Sequence, residues 1–211
     1  YDNMQQVRYW INGEGNITAY NYDLFGNVVE TIEYAEVNWT DLGLTDSQLS
    51  LSSISTLNTG QSFASNQDRH NYSVFDGAGR LRYSIDGEGF VVEISYDGRG
   101  NKVKTTHYGT VNASVLEPRI FTETGFHTIS DALNALISTS DNTKDYSEYQ
   151  FFDDAGRLHF SVNGTGAVTE FQYDRSNNLV QSIQYGQLLS DGLLSNLILD
   201  EGDSIIVTAS V

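Results

Sequence analysis

Asp86, Glu88, Glu93 and Asp97 put four carboxylates within twelve residues of the chain. Oxygen donors at that density could hold a calcium ion, which wants several carboxylate and carbonyl ligands. Glu88 and Glu93 could also serve as the acid and base of a glycosidase, which needs two carboxylates flanking one bond. Trp10 and Trp39 offer flat faces on which a sugar could stack. His70, His107, His127 and His159 are the only imidazoles, and no two stand at a metal-ligand spacing. There is no Ser-His-Asp or Gly-x-Ser-x-Gly arrangement. The Gly-rich stretches lack the strand-to-helix setting of a phosphate loop.

Spacing along the whole chain gives these residues another role. Aromatic-Asp pairs occur six times, at Tyr1-Asp2, Tyr22-Asp23, Phe75-Asp76, Tyr96-Asp97, Phe152-Asp153 and Tyr173-Asp174. Within each couple the step is 21 residues (1 to 22, 75 to 96, 152 to 173), and between couples it is 53 and then 56. A fixed step of this kind marks a repeat. Asp76…Gly79, Asp86…Gly89 and Asp97…Gly100 share one frame, and Asn12…Gly15, Asp23…Gly26, Asp153…Gly156 and Asn163…Gly166 follow it. Asp or Asn at the first position of a type I turn accepts from its own following backbone. Gly at the fourth supplies the positive φ that rejoins the partner strand. Gly79, Gly89 and Gly100 are therefore expected at positive φ, and Gly89→Val is expected to cost about 1–2 kcal/mol. Gln5 and Asn177 replace the glycine in two turns. Asn tolerates positive φ and Gln does so poorly, which makes the first turn the weakest of the set.

The repeat decides the chemistry. The equivalents of Asp86, Glu88, Glu93 and Asp97 are Asn12, Glu14, Ala19 and Asp23, then Asn163, Thr165, Glu170 and Asp174. Turn residues recur, whereas the ligand set does not. Turns and solvated faces account for Asp86, Glu88 and Asp97 without a cofactor, with calcium as the alternative. Glu88 becomes Thr165 in the third copy, so a catalytic pair at these repeat positions is not expected and no enzyme is read here.

The segments between turns read as strands. Leu81, Tyr83 and Ile85 alternate with Arg80, Arg82 and Ser84, and their counterparts are Val7, Tyr9, Ile11 and Leu158, Phe160, Val162. In the next strand the apolar residues are Val91, Ile94 and Tyr96, with a first gap of three instead of two, read as a bulge or a sharp bend. Tyr20, Tyr22, Tyr83 and Tyr96 suit sheet packing better than sugar stacking, which leaves Trp39 as the candidate glycan contact. Each couple ends at Tyr34, Tyr108 or Tyr185, and a different kind of segment follows. Residues 128–137 read as a helix with Ile129, Leu133, Leu136 and Ile137 on one face behind a Thr or Ser cap. Residues 41–57 and 190–199 could add further helical turns. The fold expected is mainly β: a tandem array of antiparallel β-hairpins with short helical insertions. Its repeat units are 1–71, 72–145 and 146–211, whose hairpins span 1–34, 72–108 and 146–185.

Composition narrows the partners. The 211 residues carry a net charge of −17, with only 11 Lys and Arg. Nucleic acid and anionic membrane surfaces both need a cationic track, and none exists. The absence of cysteine removes disulfides, thiolate zinc sites and thiol catalysis. No apolar run reaches the length of a membrane helix. Asn16, Asn38, Asn71, Asn112 and Asn163 open Asn-x-Ser/Thr triplets, whose glycosylation depends on the host.

The run from Phe75 (Phe-Asp-Gly-Ala-Gly-Arg-Leu), followed by Tyr96-Asp-Gly-Arg-Gly-Asn, resembles the RHS or YD repeat. The likeness covers residues 1–34, 75–108 and 152–185, about half the chain. It implies a β spiral of hairpins in a bacterial secreted or surface-displayed protein. Sheets of that family form hollow shells around toxins, barrel-like scaffolds and parts of large surface proteins. The helical insertions depart from the compact repeat, and the autoproteolytic segment of toxin shells has no match here.

The chain begins inside a repeat and ends in an alternating segment, 204–211. Ala209-Ser-Val211 followed by Tyr1-Asp2 would read like Tyr72-Ser-Val74 followed by Phe75-Asp76. Either the sequence is a window on a longer array, or the last strand of one copy completes the first hairpin of the next. In the second account Ile205, Val207 and Ala209 dock beside Val7 and Tyr9, and a non-closing contact yields a filament. The function expected is a non-catalytic scaffold outside the cell or on its surface. Its partners are copies of itself or adjacent repeats. A glycan-binding adhesin module and a section of a toxin-enclosing shell are the alternatives.

Overall fold

A computed structural model describes residues 1–38, 67–111, 126–138, 143 and 145–189. These residues are mainly β, with eleven antiparallel strands and one α-helix among them. The chain forms two compact units, one of Tyr1–Val91 with Gly109–Asp141 and one of Val92–Tyr108 with Asn142–Val211.

The first unit holds β1 (Tyr9–Ile11), β2 (Asn16–Tyr22), β3 (Val28–Asn38), β4 (Arg69–Phe75) and β5 (Leu81–Ile85). The division falls inside β6 (Phe90–Tyr96) and again near the end of β7 (Lys102–Thr110). The second unit continues with β8 (Tyr146–Phe152), β9 (Leu158–Val162), β10 (Val168–Tyr173) and β11 (Leu179–Gln184). Within each unit strand order follows chain order. The strands of a couple are joined by tight turns. β3 pairs directly with β4, and β7 with β8, although many residues intervene.

The turns follow one design. One side-chain oxygen of the leading Asp or Asn accepts from the amides two and four residues on. Asp76 Oδ1 takes Ala78 and Arg80 at 2.9 Å, and Asn163 Oδ1 takes Thr165 and Ala167 at 3.0 Å. Only one oxygen is needed, which explains why Asn12 and Asn163 can replace Asp86. At five of the six aromatic-Asp turns the second oxygen is used as well. Asp76 and Asp153 bind the guanidinium of Arg80 and Arg157 at 2.8 Å, while Asp23, Asp97 and Asp174 take the carboxamides of Asn27, Asn101 and Asn178. An amide in place of those aspartates would lose that bond, as the Asn12 turn does although Asn16 stands fifth in it. Gly79, Gly89 and Gly100 have φ of 76°, 87° and 91°, as the turn frame requires. Gln5 and Asn177 adopt the same left-handed backbone, at 64° and 65°. The first turn therefore closes normally, with Gln5 N–H donating to the Asp2 carbonyl at 3.1 Å.

In the first unit Tyr83 and Ile85 are 1% exposed, and Ile17, Ala19, Val29, Tyr72 and Val74 lie buried with them. Burying a side chain of that size contributes about 1.5–3 kcal/mol. α1 (Phe126–Ile137) packs on β4, with Leu133 completely enclosed and Asn134 Oδ1 accepting from the Tyr83 hydroxyl at 3.2 Å. The helix begins at Phe126, so Thr128 lies inside its first turn and does not cap it. The second unit buries Tyr149, Val162 and Val168, with Phe151, Phe160 and Leu189 against them. The helical readings of 41–57 and 190–199 lie outside the described residues, and no helix among those described is long and apolar enough to cross a membrane.

The strand after each Gly turn departs from expectation. Val168 stands opposite Val162 and Glu170 opposite Phe160, without a register shift between them. Opposed residues share a face, so alternation continues and the inward position is taken by a carboxylate. Ala19 and Glu93 hold the equivalent place. In the third copy the gap of three in the apolar pattern thus reflects a polar residue on the inner face and not a slipped strand, and in the first copy the position is filled by the small buried Ala19. A register shift does occur in the first copy, between Asn16 and Thr18, on the side where β2 pairs with β3.

Candidate functional site

Two polar arrangements stand on the inner faces. In the first unit the Glu30 side chain is 3% exposed. Its carboxylate accepts from Asn21 Nδ2 at 2.5 Å and meets His70 Nδ1 at 2.9 Å, while Asn21 Oδ1 accepts from Arg8 at 2.8 Å. β1 leads in from Arg8, β2 presents Asn21, β3 Glu30 and β4 His70, so four neighbouring segments are tied side to side. Tyr34 lies near this group. Burial pushes its phenol up to about 12, with the neighbouring Tyr9, Asp68 and Glu30 adding to the rise. A carboxylate so enclosed must be paired, and here it is.

In the second unit the carboxylate comes from a different strand. Tyr108 donates its hydroxyl to Glu93 at 2.5 Å, and Tyr185 donates to Glu170, which also accepts from Gln172 at 3.0 Å. The bonds from Tyr185 and Gln172 hold the Glu170 carboxyl below the usual range against a small opposing desolvation, with His159 helping. These pairs lock the last strand of a couple to the strand before it.

The calcium candidates are engaged by the protein. Asp86 Oδ1 accepts from the amides of Glu88 and Phe90, Asp97 from Arg99 and Asn101, and Glu88 pairs with Arg69 at 2.5 Å. The glycosidase pair is likewise divided, Glu88 with Arg69 and Glu93 with Tyr108. Among the described residues no cluster of His, Asp and Glu is placed to hold a metal. Partial desolvation pushes the Asp76 and Asp153 carboxyls up, but bonds from the amide and guanidinium of Arg80 and Arg157 outweigh it and hold both low. Asp97 is lowered against the same opposition by Asn101, and Asp174 by Asn178.

Of the remaining candidates, Val7 and Tyr9 are half-buried. The Val7 carbonyl accepts from the Tyr22 hydroxyl at 2.7 Å, and Tyr9 pairs with Ala19. Trp10 is 53% exposed. Trp39, Ile205, Val207 and Ala209 lie outside the described residues. His107 stacks on Tyr146 and His159 lies against Phe160, both as strand-packing rings. The reading of the sequence passed over Glu30 and its link to His70. Its signal was at the repeat position itself: Glu30, Lys104 and Gln181 are equivalent, and only the first is acidic. It also missed the fifth turn position, where only Arg or Asn follows five of the six aromatic-Asp turns.

No known family profile and no curated protein matches the sequence. Solved structures do. The crystal structure of TcdB2-TccC3 without its hypervariable C-terminal region matches at a TM-score of 0.50 and 14% identity, over 81% of this chain and 6% of that one. The Photorhabdus luminescens Tc holotoxin pore matches with the same values. At that identity the likeness shows the fold, and this chain spans only 6% of the length of those chains.

Proposed function

We propose that this chain is a non-catalytic structural section of a secreted or surface-displayed assembly of the RHS/YD kind. Its strands form part of the wall of a shell, coiling as a β spiral in the complete polypeptide. The observation that carries this is where the chemistry goes. Turn carboxylates are consumed by backbone amides and by Arg or Asn, and inner-face carboxylates by Tyr, Asn and His. These are devices for holding strands together. The likeness in fold to a segment of a Tc toxin, and the strand pairing of β3 with β4 and β7 with β8, support a continuing wall. The partners are adjacent repeats, and the net charge of −17 disfavours nucleic acid. The filament and adhesin readings depend on Ile205, Val207, Ala209 and Trp39, and the fold adds nothing to either.

Electron microscopy of the native polypeptide carrying this sequence tests the proposal. A wall of strands around an enclosed volume is expected. A thread of 211-residue subunits would overturn it, as would a glycan-array signal that is lost in Trp39→Ala.

A further inference from the structure

β11 reads Leu-Val-Gln-Ser-Ile-Gln, without a charge or a proline. Exposed sheet edges are ordinarily blunted by lysine, proline, bulges or extreme shortness. β11 has six residues and none of these devices along its length, save a register shift beside Tyr173 on the side that faces β10. Among the described residues its one strand neighbour is β10.

Its equivalents show what belongs on the other side. β3 and β7 are each followed in the sheet by a strand that opens the next couple. Glu30 faces Tyr72 of β4, and Lys104 faces Tyr149 of β8. Gln181 lies eight residues past Tyr173 (181 − 173), as Glu30 does past Tyr22 and Lys104 past Tyr96. Covering strands change exposure sharply. Val29 and Val103 are 7% and 8% exposed, whereas Val180 at the same repeat position is 62% exposed. Both covering strands bury the tyrosine, Tyr72 at 3% and Tyr149 at 4%. Both then run through an apolar residue into Phe-Asp and a turn.

We propose that the free edge of β11 is a strand-docking site, and that its occupant is the opening strand of a further repeat of this type. That strand sets a tyrosine opposite Gln181 and enters a Phe-Asp turn beyond Leu179. Backbone hydrogen bonds supply the attachment and the buried tyrosine the register. Among the described residues a second copy of this chain offers a poorer fit, because β4 and β8 are already paired on both sides and the other edge strand, β1, has three residues. The inference stands whether or not the parent assembly is hollow.

Amide hydrogen exchange on the 211-residue chain tests it, with a synthetic peptide of the sequence of residues 146–153 as the probe. Saturating peptide should slow exchange within Leu179–Gln184 by about tenfold or more. The same peptide with Tyr149→Asp, or in scrambled order, should not. No slowing at millimolar peptide, or equal slowing by the scrambled peptide, overturns the site. Protection, in the chain alone, of the β11 amides that face away from β10 also overturns it. If independent of concentration, the chain covers its own edge, and if it grows with concentration, a second copy does.

Discussion

Tyr34 and Tyr185 end equivalent hairpin couples, but the carboxylates near them come from different strands. Tyr185 meets Glu170 on β10. In the first couple that position is Ala19, and the enclosed carboxylate is Glu30, on β3, held by Asn21 and His70. The equivalents of Asn21 and Glu30 in the third couple are Gln172 and Gln181. The turns of both couples nevertheless close in the same way, through one Asp or Asn oxygen and two amides. The backbone is thus fixed by the turns. The inner face needs only to satisfy whatever polar group it receives, so its residues can change from copy to copy.

The largest expected effect comes from acting on what the couples share. Asp76, Asp97, Asp153 and Asp174 all titrate below the ordinary carboxylate range when folded. As pH falls, the unfolded chain takes up protons first. The stability these turns contribute is therefore complete above about pH 4 and drains as pH falls through the lowered values. Denaturant midpoints measured from pH 6 downward should hold level and then fall steadily below about pH 4. A midpoint that rises on acidification would remove the turn aspartates from the account.

Next come the turn glycines, which the positive φ alone does not rank. A Cβ on Gly79 would meet nothing, whereas one on Gly89 would lie 2.3 Å from the Val111 carbonyl oxygen. Gly89 also accepts the Val111 amide at 2.7 Å, and Gly166 closes the third copy on Leu189 in the same manner, at 2.9 Å. Gly79→Val should cost about 1–2 kcal/mol for the left-handed backbone, and Gly89→Val about 3 kcal/mol, since a closure must also open. Equal losses in urea titrations would mean that the closure contributes nothing.

The interior difference is tested by Glu30→Ala. Leaving Asn21 and His70 without their shared acceptor should cost about 2–3 kcal/mol, against less than about 0.5 kcal/mol for Gln181→Ala on exposed β11. Similar values for the two would dissolve the contrast between the couples.

Much of this was legible before the structure, and for a physical reason. Turns depend on local chemistry within five residues, so Asp76 and Gly79 announce themselves, and the mainly β fold follows from their rhythm. The inner-face pairs depend on register between strands. Glu30 and His70 are 40 residues apart and meet only because β3 pairs with β4 across an insertion. Nothing in either residue's neighbourhood points to the other. Glu93 misled for a related reason: its partner Tyr108 sits on the next strand, so the sequence offered a broken apolar pattern and no sign of what satisfied it.

Gln5 gives a smaller effect with a defined sign. Its φ of 64° is uncomfortable for an unbranched side chain, and Gln5→Gly should stabilise by about 1 kcal/mol. Asn177→Gly should gain less, because Asn tolerates the left-handed region. Matched thermal melts would decide. A loss in Gln5→Gly would mean that the Gln5 side chain makes up for its backbone.

The smallest effect expected is that of removing calcium. The carboxylates that could bind it are already satisfied: Asp86 and Asp97 each hold two turn amides, and Glu88 holds Arg69. An ion drawing on the turn oxygens would compete with amides that close the hairpins, and one drawing on Glu88 would have to displace a guanidinium. Ligand binding raises stability only in proportion to its preference for the folded chain, and these groups have little left to offer. A chelator should therefore leave the melting temperature nearly unchanged. A rise of several degrees on adding millimolar calcium, abolished in Glu88→Gln, would restore Asp86, Glu88 and Asp97 as ligands. The Arg69 pairing would then be an arrangement of the metal-free chain alone.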